Sequence, residues 1–362
     1  MSEPGLHRIW NFYPGPGALP LPVLRRIKAE LLDYRGLGMS VMELSHRSAP
    51  AVALIADTLE RLRRLLGLGD GHEVLLLQGG ASLQFVMVPM NLAPAGGKVD
   101  YVDTGYWSAK AIAEARRLGC DVAIAGSDGP GHRRLPDTLT VRPDAAYLHL
   151  CSNNTVEGTQ WRDLPQAAVP LVVDMSSDIL SRRVDAAAIG CLYAHAQKTL
   201  GPAGVTVVAL RRDLLARIPD GLPAMLDYRP HAEHGSNYNT PPIFAIYVVS
   251  CVLDWLETEV GGVAAMEALN RRKAELLYGA LDKSSLFHCP VDPDSRSPMN
   301  AVFRLPSPEL EQRFITEAAE AGLVGLAGHR SVGGCRASLY NPVPLQAVDD
   351  LVAFMRRFER RA

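Results

Sequence analysis

Leu171-Val-Val-Asp-Met-Ser-Ser177 and, one crossover later, Cys191-Leu-Tyr-Ala-His-Ala-Gln-Lys-Thr-Leu-Gly-Pro-Ala-Gly204 are two apolar runs that turn polar at their carboxyl ends. Both begin without an alternating polar face, which predicts strands of a sheet covered on both sides. In open parallel sheets, ligands bind beyond the carboxyl ends of the strands. Asp174 and Lys198 stand at two such ends. A lysine held there can form a Schiff base with a carbonyl cofactor, and a carboxylate nearby can keep a pyridine nitrogen protonated. Taken alone, the same lysine also reads as a solvated strand end. The surrounding chain decides between the two.

Working outward, helical and strand patterns alternate. Helix spacing runs over residues 20–34, 51–66, 81–92 and 108–118, and short apolar strand-like runs cover 74–77, 99–102, 122–124, 146–150, 171–173, 191–194 and 205–210. Such interleaving predicts βαβ units and a largely parallel sheet. A long helical pattern follows over 246–281, broken at Gly261-Gly262, and then a smaller α+β segment with strands near 300–305, 324–326 and 337–340 and helices over 309–321 and 348–360. The expected fold class is α/β. Its units are an N-terminal segment (1–20), a large domain (21–255) and a small C-terminal α+β domain (256–362).

Composition sets limits. A chain of 362 residues exceeds one ordinary core. Its 37 basic and 39 acidic side chains nearly cancel, which argues against global attraction to nucleic acid or an anionic membrane, so anion specificity must be local. No apolar run approaches the ~20 residues that span a bilayer. The six cysteines are scattered without a CxxC pair, which predicts reduced thiols, no zinc or other metal site, and a cytoplasmic setting.

Each strand end can then be read for chemistry. After 74–77 comes Gln78-Gly-Gly-Ala-Ser-Leu-Gln84, either a phosphate seat at a helix start or a plain tight turn. After 99–102 comes Thr104-Gly-Tyr-Trp107, offering an aromatic plane, and after 146–150 comes Cys151-Ser-Asn-Asn-Thr155, rich in hydroxyl and amide groups. Together with Asp174 and Lys198, five strand ends supply the parts of a pyridoxal phosphate (PLP) site.

In Gly38-Met-Ser-Val-Met-Glu-Leu-Ser-His-Arg-Ser48, Leu77-Gln-Gly-Gly-Ala-Ser82, Asp174-Met-Ser-Ser177, Ala196-Gln-Lys198, Gly201-Pro-Ala-Gly204, Tyr238-Asn-Thr-Pro-Pro242 and Gly328-His-Arg-Ser-Val-Gly-Gly334, the chain resembles the phosphoserine aminotransferase family. This is a branch of the class V group of fold-type I PLP enzymes, and the resemblance covers essentially the whole length. It implies a homodimer with the active site at the subunit interface. Lys198 would be the Schiff-base lysine and Asp174 the partner of the pyridine nitrogen. Trp107 would stack on the ring and Thr155 bond its 3-oxygen side. Ala81, Ser82 and Gln197 would hold the phosphate, with Asn239 and Thr240 from the neighbouring subunit. Arg336 would take the α-carboxylate, and His46, Arg47, His329 and Arg330 the substrate phosphate or the glutamate side chain. The implied reaction exchanges the amino group between glutamate and 3-phosphohydroxypyruvate in serine biosynthesis, with the phosphohydroxythreonine step of pyridoxine biosynthesis as a second role.

The chain departs from the family pattern in places. Asn11-Phe-Tyr-Pro-Gly-Pro16 puts Tyr13 and Pro14 where small or hydroxylated residues meet the substrate, and His195 stands for a glycine. Asp178 stands for an asparagine and Thr199 for a frequent asparagine. Drift explains such changes; the alternative is a pocket reshaped by Tyr13, Pro14 and His195 for a different oxo acid. A third expectation, a PLP lyase or desulfurase or a non-catalytic PLP-binding protein, would for a desulfurase need a nucleophilic cysteine. Cys335, beside Arg336, falls in a strand-like run instead.

Overall fold

The structure, a computed structural model, describes residues 8–362. Seven strands form its central sheet: β1 (His72–Leu77), β2 (Lys98–Val102), β3 (Asp121–Gly126), β4 (Leu148–Cys151), β5 (Leu171–Asp174), β6 (Cys191–His195) and β7 (Thr206–Arg211). Their order across the sheet is β1-β7-β6-β5-β4-β2-β3, and β7 alone runs against its two neighbours. The parallel strands therefore deliver their carboxyl ends to one edge; the helices Gly80–Leu92 and Tyr106–Arg117 make the β1–β2 and β2–β3 connections, and the later crossovers run without an α-helix.

Both faces of the sheet are covered, which is why these strands read as unbroken apolar runs. On one face, Val173, Leu192, Ala194 and Val207 pack with Leu54 and Ile55 of the helix Ala49–Leu65 and with Ile246, Val249 and Leu253 of Ile243–Trp255. On the other, Leu75, Leu77, Tyr101, Tyr193 and Val208 meet Phe85 and Val88 of Gly80–Leu92 and Ala111 and Ile112 of Tyr106–Arg117. A third core gathers Phe287, Phe303, Phe314, Phe354 and Phe358. It also includes Phe12, because the strand Trp10–Asn11 pairs in parallel with Leu323–Val324. The N-terminal segment thus packs on the C-terminal unit.

The helix Val263–Leu281 links the first core, at Met266, to the third, at Leu277 and Leu281. Midway along it Lys273 is wholly buried, its Nζ donating to the carbonyls of Leu339, Tyr340 and Val343 at 2.8, 2.9 and 3.0 Å. The Tyr340 hydroxyl in turn donates to the Pro14 carbonyl at 2.7 Å. A chain of hydrogen bonds therefore runs from that helix to the N-terminal lip of the main cavity.

Local boundaries shift where chain chemistry is ambiguous. The helix expected over 20–34 stops at Glu30, and a separate turn, Tyr34–Gly36, carries Arg35 at φ 54°. The helical pattern over 246–281 is two helices joined by a π-turn, Leu256–Val260, that ends at the left-handed Gly261. Trp107 lies in the first turn of a helix rather than in the loop before it. Among the described residues no helix is long and apolar enough to cross a membrane.

Candidate active site

A cavity of about 550 Å³ opens at the carboxyl edge of the sheet. Pro14, Ala81, Ser82, Trp107, Thr155, Asp174, His195, Gln197, Lys198, His329 and Arg336, widely separated in sequence, all line it. The β-carboxyl of Asp174 closes β5 and accepts a 2.9 Å bond from the Ser176 N–H. Lys198 follows β6 in the turn that Leu200 and Gly201 tie back to the Ala196 carbonyl. Its Nζ lies 5.7 Å from the centre of the Trp107 ring.

Burial sets the electrostatics. Loss of hydration pulls the Lys198 amine down to about 8, against the pull of Asp174, and the guanidinium of Arg336 adds to the lowering. The same burial pushes the Asp174 carboxyl up, opposed by Ser176 and the charge of Lys198. Lysine at this position is thus partly a neutral amine near neutral pH, as a nucleophile or proton carrier must be.

The walls are built from the other strand ends. Between β1 and the helix Gly80–Leu92 the chain turns through Gly79, at φ 87°, where an added Cβ would fall 2.5 Å from Leu83 Cδ2. Glycine is needed there. The turn brings the N–H groups of the first helical turn to the cavity, where they and the helix dipole favour an anion. Opposite, Trp107 Nε1 donates to Thr155 Oγ1 at 3.0 Å, which fixes the indole plane. Arg336, buried in the strand Cys335–Ser338, donates from Nη1 to the Thr155 carbonyl at 2.5 Å, and its Nε is buried without a partner. An unsatisfied guanidinium N–H in a cavity wall is poised for a carboxylate. Cys335 points into the neighbouring core, and burial raises its thiol, the opposite of an activated nucleophile.

The remaining candidate residues stand elsewhere. Tyr13 is 52% exposed and rests against Gly325 outside the cavity. His46 and Arg47 lie on a loop whose His46 carbonyl accepts from Asn237 Nδ2 at 2.9 Å, beside Asn239 and Thr240. Tyr13, His46, Arg47, Asn239 and Thr240 do not line the cavity of their own chain, and neither does Arg330. His329 does, with its ring 4.7 Å from that of Tyr106.

Sequence reading gave no site role to Gly15 and Asn153 on the cavity wall or to Glu157 behind it. Glu157 accepts from the Tyr106 N–H at 2.8 Å and so caps the helix that carries Trp107. Gly105, at φ 142°, leaves room for it: a Cβ there would come 2.2 Å from the Glu157 carboxyl carbon. The contact joins residues 51 apart, and no local signal announces it.

These groups fit PLP: an amine, a buried carboxylate, an aromatic wall and a helix start for a phosphate, all on one cavity. Comparison with known proteins agrees. The sequence model of the class-V aminotransferases matches residues 9–351. A curated relative named phosphoserine aminotransferase, from Geobacillus kaustophilus, is 55% identical, the match covering 98% of this chain and 99% of the relative. The solved phosphoserine aminotransferase from Bacillus circulans subsp. alkalophilus superposes with a TM-score of 0.95 at 49% identity, covering 98% of this chain and 99% of that one. A PLP-bound phosphoserine aminotransferase from Trichomonas vaginalis superposes at 0.93, with 40% identity and coverage of 96% and 100%. On the strength of a match over nearly its whole length, the chain belongs to the class-V aminotransferase family.

Proposed function

We propose that this chain is a PLP-dependent aminotransferase that moves the amino group of L-glutamate to 3-phosphohydroxypyruvate, forming O-phospho-L-serine for serine biosynthesis in the cytoplasm. The observation that carries the reading is the cavity that brings together Lys198, Asp174, Trp107 and the helix start at Gly80–Ser82. Relatives matching end to end bear the name of this activity.

When bound, PLP supplies an electron sink for the bond broken at the substrate α-carbon. The protein's part follows from the residues. Lys198 would hold the cofactor through its amine, and the same amine, when free, would take the substrate α-proton and return it, as base and then acid. Its lowered affinity for protons suits both halves of that task. Asp174 keeps a proton on the ring nitrogen, and the low polarity around it strengthens that pairing. Trp107, locked by Thr155, would supply the aromatic wall for the ring. Ala81, Ser82 and Gln197 hold the phosphate end. Arg336 takes the α-carboxylate through the N–H groups left free by Thr155.

We further propose a homodimer whose partner brings Asn239 and Thr240 to the phosphate, with His46, Arg47, His329 and Arg330 binding the distal anion of the substrate. Support comes from the loops that carry these residues. Asn239, Thr240, His46 and Arg47 do not line their own cavity, and Met39, Met42 and Tyr238, their neighbours in sequence, expose apolar surface. The test is a competition among oxo acids with glutamate as donor. The highest kcat/KM should fall on phosphohydroxypyruvate; equal or better turnover of another oxo acid would overturn the substrate assignment.

A further inference from the structure

Side chains alternate across β6, so His195 shares a face with Tyr193, two residues earlier. Tyr193 packs against Phe85 of the helix Gly80–Leu92, with ring centroids 6.3 Å apart. In the antiparallel register His195 stands opposite Thr206, and Thr206 stands opposite Leu77. The three side chains form one row beneath the turn that leads from β1 into that helix. Leu77 belongs to the apolar core on this face. The two polar members of the row are unsatisfied: His195 Nδ1 and Thr206 Oγ1 are both buried without a hydrogen-bond partner. Buried polar atoms of a native protein nearly always have partners, and an orphaned imidazole nitrogen on the cavity wall, with an orphaned hydroxyl opposite it, marks the place where a ligand or an ordered water supplies them.

The surroundings choose the ligand. His195 lines the cavity with Gly79, Gly80, Ala81, Ser82 and Gln197, the segment whose N–H groups are open to an anion. The helix Gly80–Leu92 carries no charged side chain, so no fixed anion competes for the imidazole. Arg336 and His329 come from the C-terminal unit. His195 therefore belongs to the part of the wall that, with Gly80–Ser82, receives phosphate, whereas the guanidinium that receives the substrate carboxylate comes from a different unit of the chain.

We propose that His195 is a binding residue for the phosphate of PLP, donating a hydrogen bond to one phosphate oxygen beside the N–H groups of Gly80–Ser82. The proposal rests on the PLP assignment made above. Burial and the charge of Lys198 hold the imidazole down to about 3, so it meets the phosphate as a neutral donor, with the unpartnered Thr206 hydroxyl opposite it in the strand register. The substitution at position 195 then alters how the cofactor is gripped and leaves the choice of oxo acid to other residues.

The test uses the full-length protein stripped of cofactor and titrated with PLP, with pyridoxal, which lacks the phosphate, and with inorganic phosphate. Binding is read by tryptophan fluorescence, to which Trp107 on the cavity wall contributes. His195→Leu should weaken PLP roughly 10- to 100-fold, the range expected for a hydrogen bond to a charged group. Pyridoxal should be unaffected, and competition by inorganic phosphate should weaken in parallel with PLP. His195→Asn, which keeps an N–H donor, should retain most of the affinity and covers the case in which the leucine variant does not fold. Unchanged PLP affinity in folded His195→Leu, or equal losses for PLP and pyridoxal in either variant, would overturn the proposal while leaving the cofactor assignment intact. For the asparagine variant, a loss as large as that of leucine would also count against it. If the unaltered protein bound neither PLP nor pyridoxal, the cofactor assignment itself would fall and the role of His195 with it.

Discussion

At the scale of the residue, burial decides what Lys198 can do. An exposed lysine titrates near 10.4, so an amine held down to about 8 is nucleophilic at a pH where surface lysines are still protonated. Only the neutral form reacts, and its share rises with pH until the pKa is passed. In cofactor-free protein, acetylation of Lys198 by trace acetic anhydride should therefore rise with pH and level off above about 8, while exposed lysines keep rising beyond 10. Peptide mapping would read both, and a Lys198 profile matching the exposed lysines would contradict the burial argument. Asp174→Asn keeps the shape and removes the charge proposed to hold the ring nitrogen protonated. It should lower kcat on the order of 10²–10³-fold, the usual cost of losing one well-placed electrostatic partner, with melting temperature little changed. Both residues were legible in the sequence because each terminates an apolar run. The pairing of their electrostatics was not, since it depends on how completely the cavity excludes water.

At the scale of the element, strand ends were easy to read and their supports were not. Leu171–Asp174 and Cys191–His195 announce themselves as doubly covered strands, and the strand-end rule then points to Asp174 and Lys198. The cap on the Trp107 helix comes from Glu157, and the brace behind the N-terminal lip comes from Lys273; both are long-range contacts of residues that look unremarkable locally. Lys273 reads as one more polar residue on a helix until the carbonyls of Leu339, Tyr340 and Val343 close around it. Gly105→Ala tests the cap. It places a Cβ on the Glu157 carboxylate and forces alanine to φ 142°, so the fold should lose about 2 kcal/mol or more. Thermal unfolding measures the loss, and the near-UV signal of Trp107 should change with it. A variant as stable as the parent would show that this contact does not shape the helix start.

At the scale of the molecule, one chain supplies a nearly complete cofactor cavity, yet His46, Arg47, Asn239 and Thr240 stand outside it. The helix and strand pattern foretold the α/β sheet, but nothing in a single sequence's periodicity says which surface meets a second copy. If the partner completes the site, Lys198→Ala and Arg47→Ala should each be inactive or strongly impaired alone and recover partial activity when mixed and allowed to exchange subunits, because some dimers then hold one intact site. No recovery on mixing, with exchange verified by mass, would place all site residues in one subunit. The central claim is that this cavity performs amino transfer through Lys198 in two separable halves. Its most direct test is a single-turnover measurement on the PLP-loaded protein given L-glutamate alone. The account predicts one equivalent of 2-oxoglutarate per Lys198 site, a loss of the cofactor's original absorbance, and recovery of that absorbance when phosphohydroxypyruvate is added. Absence of 2-oxoglutarate, or continuous production of it without an acceptor, would contradict the account.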